Sequence, residues 1–238
     1  MQIKTKALVL SSIRYQEKSL VVKCLTQEVG IQTFFVRNAF SKGKSAQKNA
    51  YFQPLTLIEI DFTHKNKGGM EYFKEVKLAH SYQSIFYDFT KNSIAIFLAE
   101  MLHNLIKEQD QDEQFFDFIE TALLWFDTHD DAYNFHLIFL MELTKYLGFY
   151  PDIREKDALY FNSETGTFST TYDLGCFDDY ESILFKRLLD LKFQHDQKVF
   201  KGSERRILLN LLLKYYTQHV AKFKTPNSLE ILKEIFST

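Results

Sequence analysis

Cysteine is nearly absent from this 238-residue chain. Cys24 and Cys176 stand far apart and in no CxxC spacing, which argues against a disulfide framework or a paired-thiol redox or zinc motif and fits a reducing compartment. Proline (3) and glycine (8) are also scarce, so long linkers and low-complexity disorder are excluded and the chain should be globular throughout. No segment approaches the roughly 18 consecutive apolar residues of a membrane span. The uncharged run Ala7 to Leu10 is too short for a leader core. The expectation is a soluble cytoplasmic protein with no membrane contact.

Catalytic signatures are missing as well. The seven histidines are scattered, with no HExxH, and GxSxG, kinase and dinucleotide motifs do not occur. Gly43-Lys44-Ser45 suggests a phosphate loop, but the first glycine of that motif would fall on Asn38 and no apolar helix follows Ser45 directly. The cluster His129-Asp130-Asp131 reads as a helix cap, and Asp178 with Asp179 as carboxylates favoured by a helix N-terminus. No catalytic residue, metal ligand or cofactor is assigned, and no enzyme is expected.

What is present is a charge asymmetry. The net charge is −2, yet residues 1 to 78 hold 13 Lys and Arg against 6 Asp and Glu, a surplus of +7, and the remaining 16 against 25 leave −9. A polyanion partner for the first part is one reading. The other is that the lysines merely keep a small β domain soluble and guard its edge strands.

That first part has strand character in Ile3 to Leu10, Leu20 to Thr26, Ile31 to Asn38, Leu55 to Phe62 and Met70 to Leu78. In the fourth segment Thr56, Ile58, Ile60 and Phe62 alternate with Leu55, Leu57, Glu59 and Asp61, the period of a half-buried strand. Gly30 separates the second from the third, and Lys67-Gly68-Gly69 forms a turn before the fifth. Five short strands in so few residues predict a small closed barrel, for which the OB-fold is the common single-strand-binding architecture. The basic residues concentrate in loops and at strand ends: Arg14, Lys18, Arg37, Lys42, Lys44, Lys48, Lys65 and Lys67 are the candidates for a surface that tracks a phosphate backbone. Tyr15, Phe34, Phe40 and Tyr51 offer stacking planes for bases, with Phe34 expected to pack inside.

From about residue 80 the period becomes helical. Ile94, Phe97, Leu98, Met101, Leu102 and Leu105 form one stripe. Further helices are predicted near Phe115 to Phe126, Asp131 to Leu147 and Tyr180 to Leu191, one capped by Ser203, and a last one with Asn227 and Glu230 in capping-box spacing. A β-hairpin, Ala158 to Phe161 and Thr167 to Tyr172 around a turn at Asn162 to Gly166, interrupts them. The predicted fold class is therefore α+β: an OB-fold barrel over residues 1–78, then a helical domain over 79–238 with a hairpin inserted near 158–172.

Four stretches, in order, resemble the RecO family of recombination mediators: KTKALVLSSIRYQEKSLVVKCLTQEVGIQ, FQPLTLIEID, YLGFYPD and FKTPNSLEILKEI. The resemblance spans nearly the whole chain. It implies an N-terminal OB-fold, binding of single- and double-stranded DNA, strand annealing, cooperation with RecR, help in loading RecA, and association with the bacterial nucleoid. It also implies a helical domain that recognises the acidic, apolar-ended tail of single-strand DNA-binding protein, for which Arg205, Arg206 and Lys214 are candidates. Those three could equally form a solvated helix face. An adaptor that binds RecR and single-strand DNA-binding protein with little direct DNA contact is the second reading. Many members carry a four-cysteine zinc module after the Gly-Pro stretch, whereas Pro151 to Gly175 here holds no cysteine and Cys176 stands alone. No zinc is expected, and the hairpin is expected to stand on packing and strand pairing alone.

Overall fold

A computed structural model describes residues 1–40, 49–65, 68–106, 112–130, 133–193 and 199–235. The chain divides into two compact units, residues 1–127 with 226–228 and residues 128–225 with 229–238.

The first unit opens with the strands β1 (Gln2–Tyr15), β2 (Ser19–Thr26), β3 (Gly30–Val36), β4 (Leu57–Thr63) and β5 (Phe73–Leu78). They make one antiparallel sheet in the order β3-β2-β1-β4-β5. Its two edges meet at one place. Glu71 donates its backbone N–H to the Thr33 carbonyl at 2.8 Å and accepts from the Phe35 N–H at 2.8 Å, a parallel bridge to β3. The cyclic order 1-2-3-5-4 is that of a partly open OB-fold, joined by a bridge and not closed by a continuous ladder.

Alternation explains the interior. Ile58, Ile60 and Phe62 of β4 point inward with Val22, Cys24 and Phe34, while Glu59 and Asp61 face out. Phe34 is fully buried, edge-on to Phe62 at 5.0 Å and stacked on Phe73 at 4.1 Å. β1 serves both neighbours by pairing with β4 over Gln2 to Leu8 and with β2 over Ala7 to Tyr15, and its register with β2 shifts between Val9 and Ser11, a bulge of the kind that lets a strand turn a barrel corner.

Two strand starts differ from expectation. Leu55 lies at φ +62°, its N–H given to the Val9 carbonyl at 2.7 Å and its carbonyl taken by the Tyr82 hydroxyl at 3.0 Å, so β4 begins only at Leu57. The fifth begins at Phe73, not Met70, because Glu71 is bonded across to β3.

Helix α1 (Phe89–Leu105) starts on Asp88, whose side chain accepts from the Lys91 N–H at 2.7 Å, and buries the whole predicted stripe from Ile94 to Leu105. Helix α2 is Glu113–Thr128. Its residue Asp127 is buried, and its carboxylate accepts the backbone N–H groups of Gln83, Ser84 and Ile85 at 2.8, 2.8 and 3.1 Å. The turn that follows β5 is thereby fastened to the end of α2. Lys6 of β1 and Glu120 of α2 pair at 2.8 Å.

In the second unit α3 (Phe135–Tyr146) is buried along nearly its full length, and α4 (Asp179–Asp190) and α5 (Gly202–His219) pack on it. The expected start at Asp131 falls outside the described residues; the described helix begins after Asn134. Asp178 and Glu181 form a capping box on α4, in keeping with the acidic pair read there. Ser203 does not cap α5: Lys201 precedes the helix and gives its N–H to Glu204 at 2.7 Å. The last helix, α6 (Leu229–Ile235), is not started by an Asn227–Glu230 box either. Glu100 of α1 accepts from the N–H groups of Asn227 and Ser228 and from the Ser228 hydroxyl at 2.7 to 3.0 Å.

The hairpin is present and shorter than expected, β6 (Tyr160–Asn162) with β7 (Thr167–Ser169). Side chains add to its pairing. Asn162 accepts from the N–H groups of Glu164 and Thr165 and donates to both oxygens of Asp173, which in turn accepts from the Gly175 N–H at 2.9 Å. Gly166 sits at φ +71°, and a Cβ there would fall 2.7 Å from the Tyr215 hydroxyl, which donates to the Phe149 carbonyl at 2.7 Å. Gly166→Ala should therefore cost about 1–3 kcal/mol. A thermal melt followed by circular dichroism reads this as a lowered midpoint, and an unchanged midpoint would show that the loop relaxes freely.

Candidate nucleic-acid interface

The outer faces of β1, β2 and β3 follow from register. Ile13 lies opposite Val21 and Val21 opposite Phe35, so these three stand in a row on the side away from the buried Val22 and Phe34. The turn after β1 lies at one end of this face, and the segment between β4 and β5 reaches its other edge through the Glu71 bridge.

A row of aromatic rings runs along it, with two cations at one end. Tyr15 meets Phe35 edge-on at 5.7 Å, and Phe35 meets Tyr72 edge-on at 6.0 Å. Over the Tyr72 ring lie the Arg37 guanidinium at 5.0 Å and the Lys65 ammonium at 5.6 Å, and Arg37 also donates to the Tyr72 hydroxyl at 3.4 Å. Arg14, opposite the inward Leu20 in register and so on the other side of β1, sits over the Phe40 ring at 4.9 Å and donates to the Glu17 carbonyl at 2.9 Å. Tyr15, Phe40 and Tyr72 are 47%, 44% and 43% exposed, enough to offer ring faces to a partner while their stems stay packed.

Ion pairing sorts the cations of the barrel. Lys6 is bound to Glu120, and Lys77 to Glu59 at 3.1 Å. Lys65 lies 4.0 Å from Glu71, with its backbone N–H on the same carboxylate at 2.8 Å. Among the described residues Arg14, Lys18 and Arg37 have no carboxylate partner, nor have Lys4, Lys23 and Lys74, and Lys18 stands exposed in the turn after β1. Unneutralised cations interleaved with exposed rings are what a single-stranded polyphosphate requires: phosphates meet the charges and bases meet the π-faces.

Of the eight basic residues read from the sequence, Arg14, Lys18, Arg37 and Lys65 are thus placed at strand ends and loops. Contacts through Tyr72 join Arg37 to Lys65 directly. Lys42, Lys44, Lys48 and Lys67 lie outside the described residues. Among the rings, Tyr15 and Phe40 are exposed, Phe34 is interior as expected, and Tyr51 packs partly against the barrel core. The sequence reading missed Phe35 and Tyr72. Strand period could have supplied Phe35, since the neighbour of an inward Phe34 must face outward.

On α5 of the second unit the three partner candidates separate. Arg205 is half-buried, over the Tyr133 ring at 5.7 Å and donating to the Phe200 carbonyl at 2.8 Å. Arg206 is exposed, and so is Lys214, whose ammonium lies 5.4 Å from the centre of the Phe177 ring. Nine residues divide Arg205 from Lys214, about two and a half helical turns, which sets them on opposite sides of α5. Among the described residues no three His, Cys, Asp or Glu are grouped to hold a metal ion, and no helix is long and apolar enough to cross a membrane.

A family model described as "Recombination protein O N terminal" matches residues 1–82, and one described as "Recombination protein O C terminal" matches residues 87–229. The chain is 54% identical over 237 residues to a DNA repair protein RecO of Flavobacterium johnsoniae, covering 100% of each. It is 53% identical over 238 residues to that of Flavobacterium psychrophilum, again covering 100% of each. To the same protein of Christiangramia forsetii it is 37% identical over 241 residues, covering 99% of this chain and 100% of the relative.

Proposed function

Since the chain belongs to the RecO family of DNA repair proteins, we propose that it holds single- and double-stranded DNA on the outer face of its barrel and brings complementary strands together. The observation that carries this is the run of rings Tyr15, Phe35 and Tyr72 with Arg37 over Tyr72, a cation that no carboxylate neutralises among the described residues, with Arg14 and Lys18 also unneutralised around the turn after β1.

Each phosphate that meets such a cation releases a condensed counterion, which gives affinity without sequence readout. Two strands held with part of their charge neutralised repel each other less, so pairing speeds up with no covalent step and no cofactor. In this reading the protein is a non-enzymatic mediator in the bacterial cytoplasm, at the nucleoid. It works with RecR to help RecA onto strands coated by single-strand DNA-binding protein. DNA binding falls to residues 1–78 and partner binding to residues 79–238. The acidic tail of single-strand DNA-binding protein would meet Arg206 and Lys214, the two exposed candidates on α5.

Fluorescence anisotropy of a labelled single-stranded 30-mer, titrated with the full chain at several sodium chloride concentrations, tests the reading. With Arg14, Lys18 and Arg37 on phosphates, log affinity should fall against log salt with a slope of about −2. Annealing of complementary strands should accelerate under the same conditions. No binding, or a slope near zero, would move the function to the adaptor reading.

A further inference from the structure

Tyr72, at one end of the row of rings, belongs to no strand. It stands between Glu71, whose backbone bridges to β3, and Phe73, where β5 begins. The Glu71 side chain reaches back to the start of the same β4–β5 connection. Its carboxylate accepts the Lys65 N–H at 2.8 Å and lies 3.7 Å from His64 Nδ1 and 4.0 Å from the Lys65 ammonium. One residue thus ties together the end of β4, the edge of β3 and the approach to β5. The side chain is only 5% exposed, and its oxygen Oε2 accepts no hydrogen bond among the described residues. Burying a carboxylate on so few partners is costly, and an apolar side chain of similar volume often holds a core as well or better. What the carboxylate does supply is a fixed reach from residue 71 to residue 65, and residue 71 is the neighbour of Tyr72.

We infer that Glu71 is a positioning residue for DNA binding, an inference that rests on the DNA reading above. Its carboxylate holds the connection in the arrangement that sets Tyr72 beside Phe35 and Lys65 over Tyr72, and it meets no part of the strand itself. Lys65 is then a brace and not a phosphate ligand, its ammonium shared by the Tyr72 ring at 5.6 Å and the Glu71 carboxylate at 4.0 Å. Tyr72 needs such a hold because it lies outside any ladder and is 43% exposed, with Phe35 edge-on at 6.0 Å and the Arg37 guanidinium at 5.0 Å as its other neighbours. A ring already oriented loses less entropy when a base stacks on it, which is how a carboxylate that never touches DNA adds to affinity. Charge alone predicts the reverse. A carboxylate beside a phosphate-binding face repels the strand, so its loss should tighten binding. Positioning requires that losing its reach weakens binding even when its charge stays.

The test titrates a labelled single-stranded 30-mer by anisotropy, at several salt concentrations, with the full-length wild type and with Glu71→Asp, Glu71→Gln, Tyr72→Ala and the double variant Glu71→Asp, Tyr72→Ala. Aspartate keeps the charge but is one methylene short of the Lys65 N–H, whereas glutamine keeps the reach and an acceptor and drops the charge. Tyr72→Ala should weaken binding about tenfold, the worth of one stacked base. Glu71→Asp should weaken it about fivefold, most of that share, with the salt slope unchanged because no phosphate contact is lost. In the Tyr72→Ala background it should cost nothing further, the coupling expected of a residue that acts through that ring and not of one that merely stabilises the fold. Glu71→Gln should bind at least as tightly as wild type. Glu71→Asp that binds like wild type overturns the inference, as do losses that add in the double variant or a Tyr72→Ala without effect, and each leaves DNA binding itself standing. Wild type that binds no DNA removes the DNA reading along with it. Melts verify folding, and should Glu71→Asp not fold, Lys65→Ala at the exposed brace decides: affinity should fall a few-fold with the slope unchanged, and a slope flattened by about 0.7 would make Lys65 a phosphate ligand and overturn the bracing.

Discussion

Asp127→Ala is expected to destabilise the first unit by about 3–5 kcal/mol, which lowers its thermal midpoint by on the order of 10 °C. Three backbone N–H groups, from Gln83, Ser84 and Ile85, end on this one carboxylate, itself buried, with the Ile85 bond fully buried and the other two partly so. Removing it leaves three donors with nothing to replace the lost acceptor, and each buried unsatisfied donor costs about 1–3 kcal/mol. Ser84 adds to the cluster, donating its hydroxyl to the Asp127 carbonyl while accepting from the Lys91 ammonium at 2.6 Å. Asp127→Asn should lie between wild type and alanine, since an amide offers one acceptor but turns N–H donors toward N–H donors.

The same carboxylate has a pH signature. Burial by itself would push its pKa up, but the N–H donors of Gln83, Ser84 and Ile85 outweigh burial and hold it below the usual aspartate range. A group whose folded pKa is depressed contributes stability that is fully present above its unfolded value near 3.9 and disappears as pH falls through the folded value. The Asp127 contribution should thus be complete at pH 6 and fade as pH drops below about 4. Melts of wild type and Asp127→Ala across that range should converge at the acid end. A gap of constant size would show that the loss comes from packing and not from the ionised carboxylate.

The five-stranded antiparallel sheet was legible in the sequence because its signal is local, whereas the closed barrel expected from it is not formed and its edges meet only at the Glu71 bridge. Ile58, Ile60 and Phe62 alternate with charged neighbours, and Gly30 lies at φ +64°, where a break between two strands was read. What escaped depends on contacts distant in sequence. Leu55 reads as strand yet is held at positive φ by Val9, and Glu71 reads as strand β5 yet bonds to β3. The N–H groups of Asn227 and Ser228 end on Glu100, more than a hundred residues away, so no capping-box spacing could reveal that contact. Tyr72 was missed for the same reason: only the Glu71 bridge brings it beside Phe35. Counting charge gave the sign of the surface, but the count could not separate Lys6 and Lys77, spent on Glu120 and Glu59, from Arg14, Lys18 and Arg37.

That separation is what a charge-matched pair of triple variants should expose. Arg14→Ala, Lys18→Ala and Arg37→Ala together are expected to weaken single-stranded DNA binding roughly 100-fold at moderate salt, a loss of somewhat under 1 kcal/mol per contact. They should also flatten the salt slope by about 2, since each lost phosphate contact removes about 0.7. The comparison is Lys4→Ala, Lys6→Ala and Lys77→Ala, which removes the same charge from the same barrel. Two of these three cations are already held by carboxylates, so the slope should stay near the wild-type value and affinity should change only a few-fold. If DNA responds merely to the surplus of positive charge in the first part of the chain, the two triples will behave alike. If the strip is the surface, only the first will lose its slope, and annealing should fall with it, because strands that are not held with their charge neutralised meet at the rate of free DNA. Arg37 carries the further consequence that its guanidinium lies on Tyr72. Arg37→Lys, which keeps the charge but not the planar stack, should preserve the slope while losing part of the affinity, dividing the electrostatic share of binding from the share that belongs to the rings.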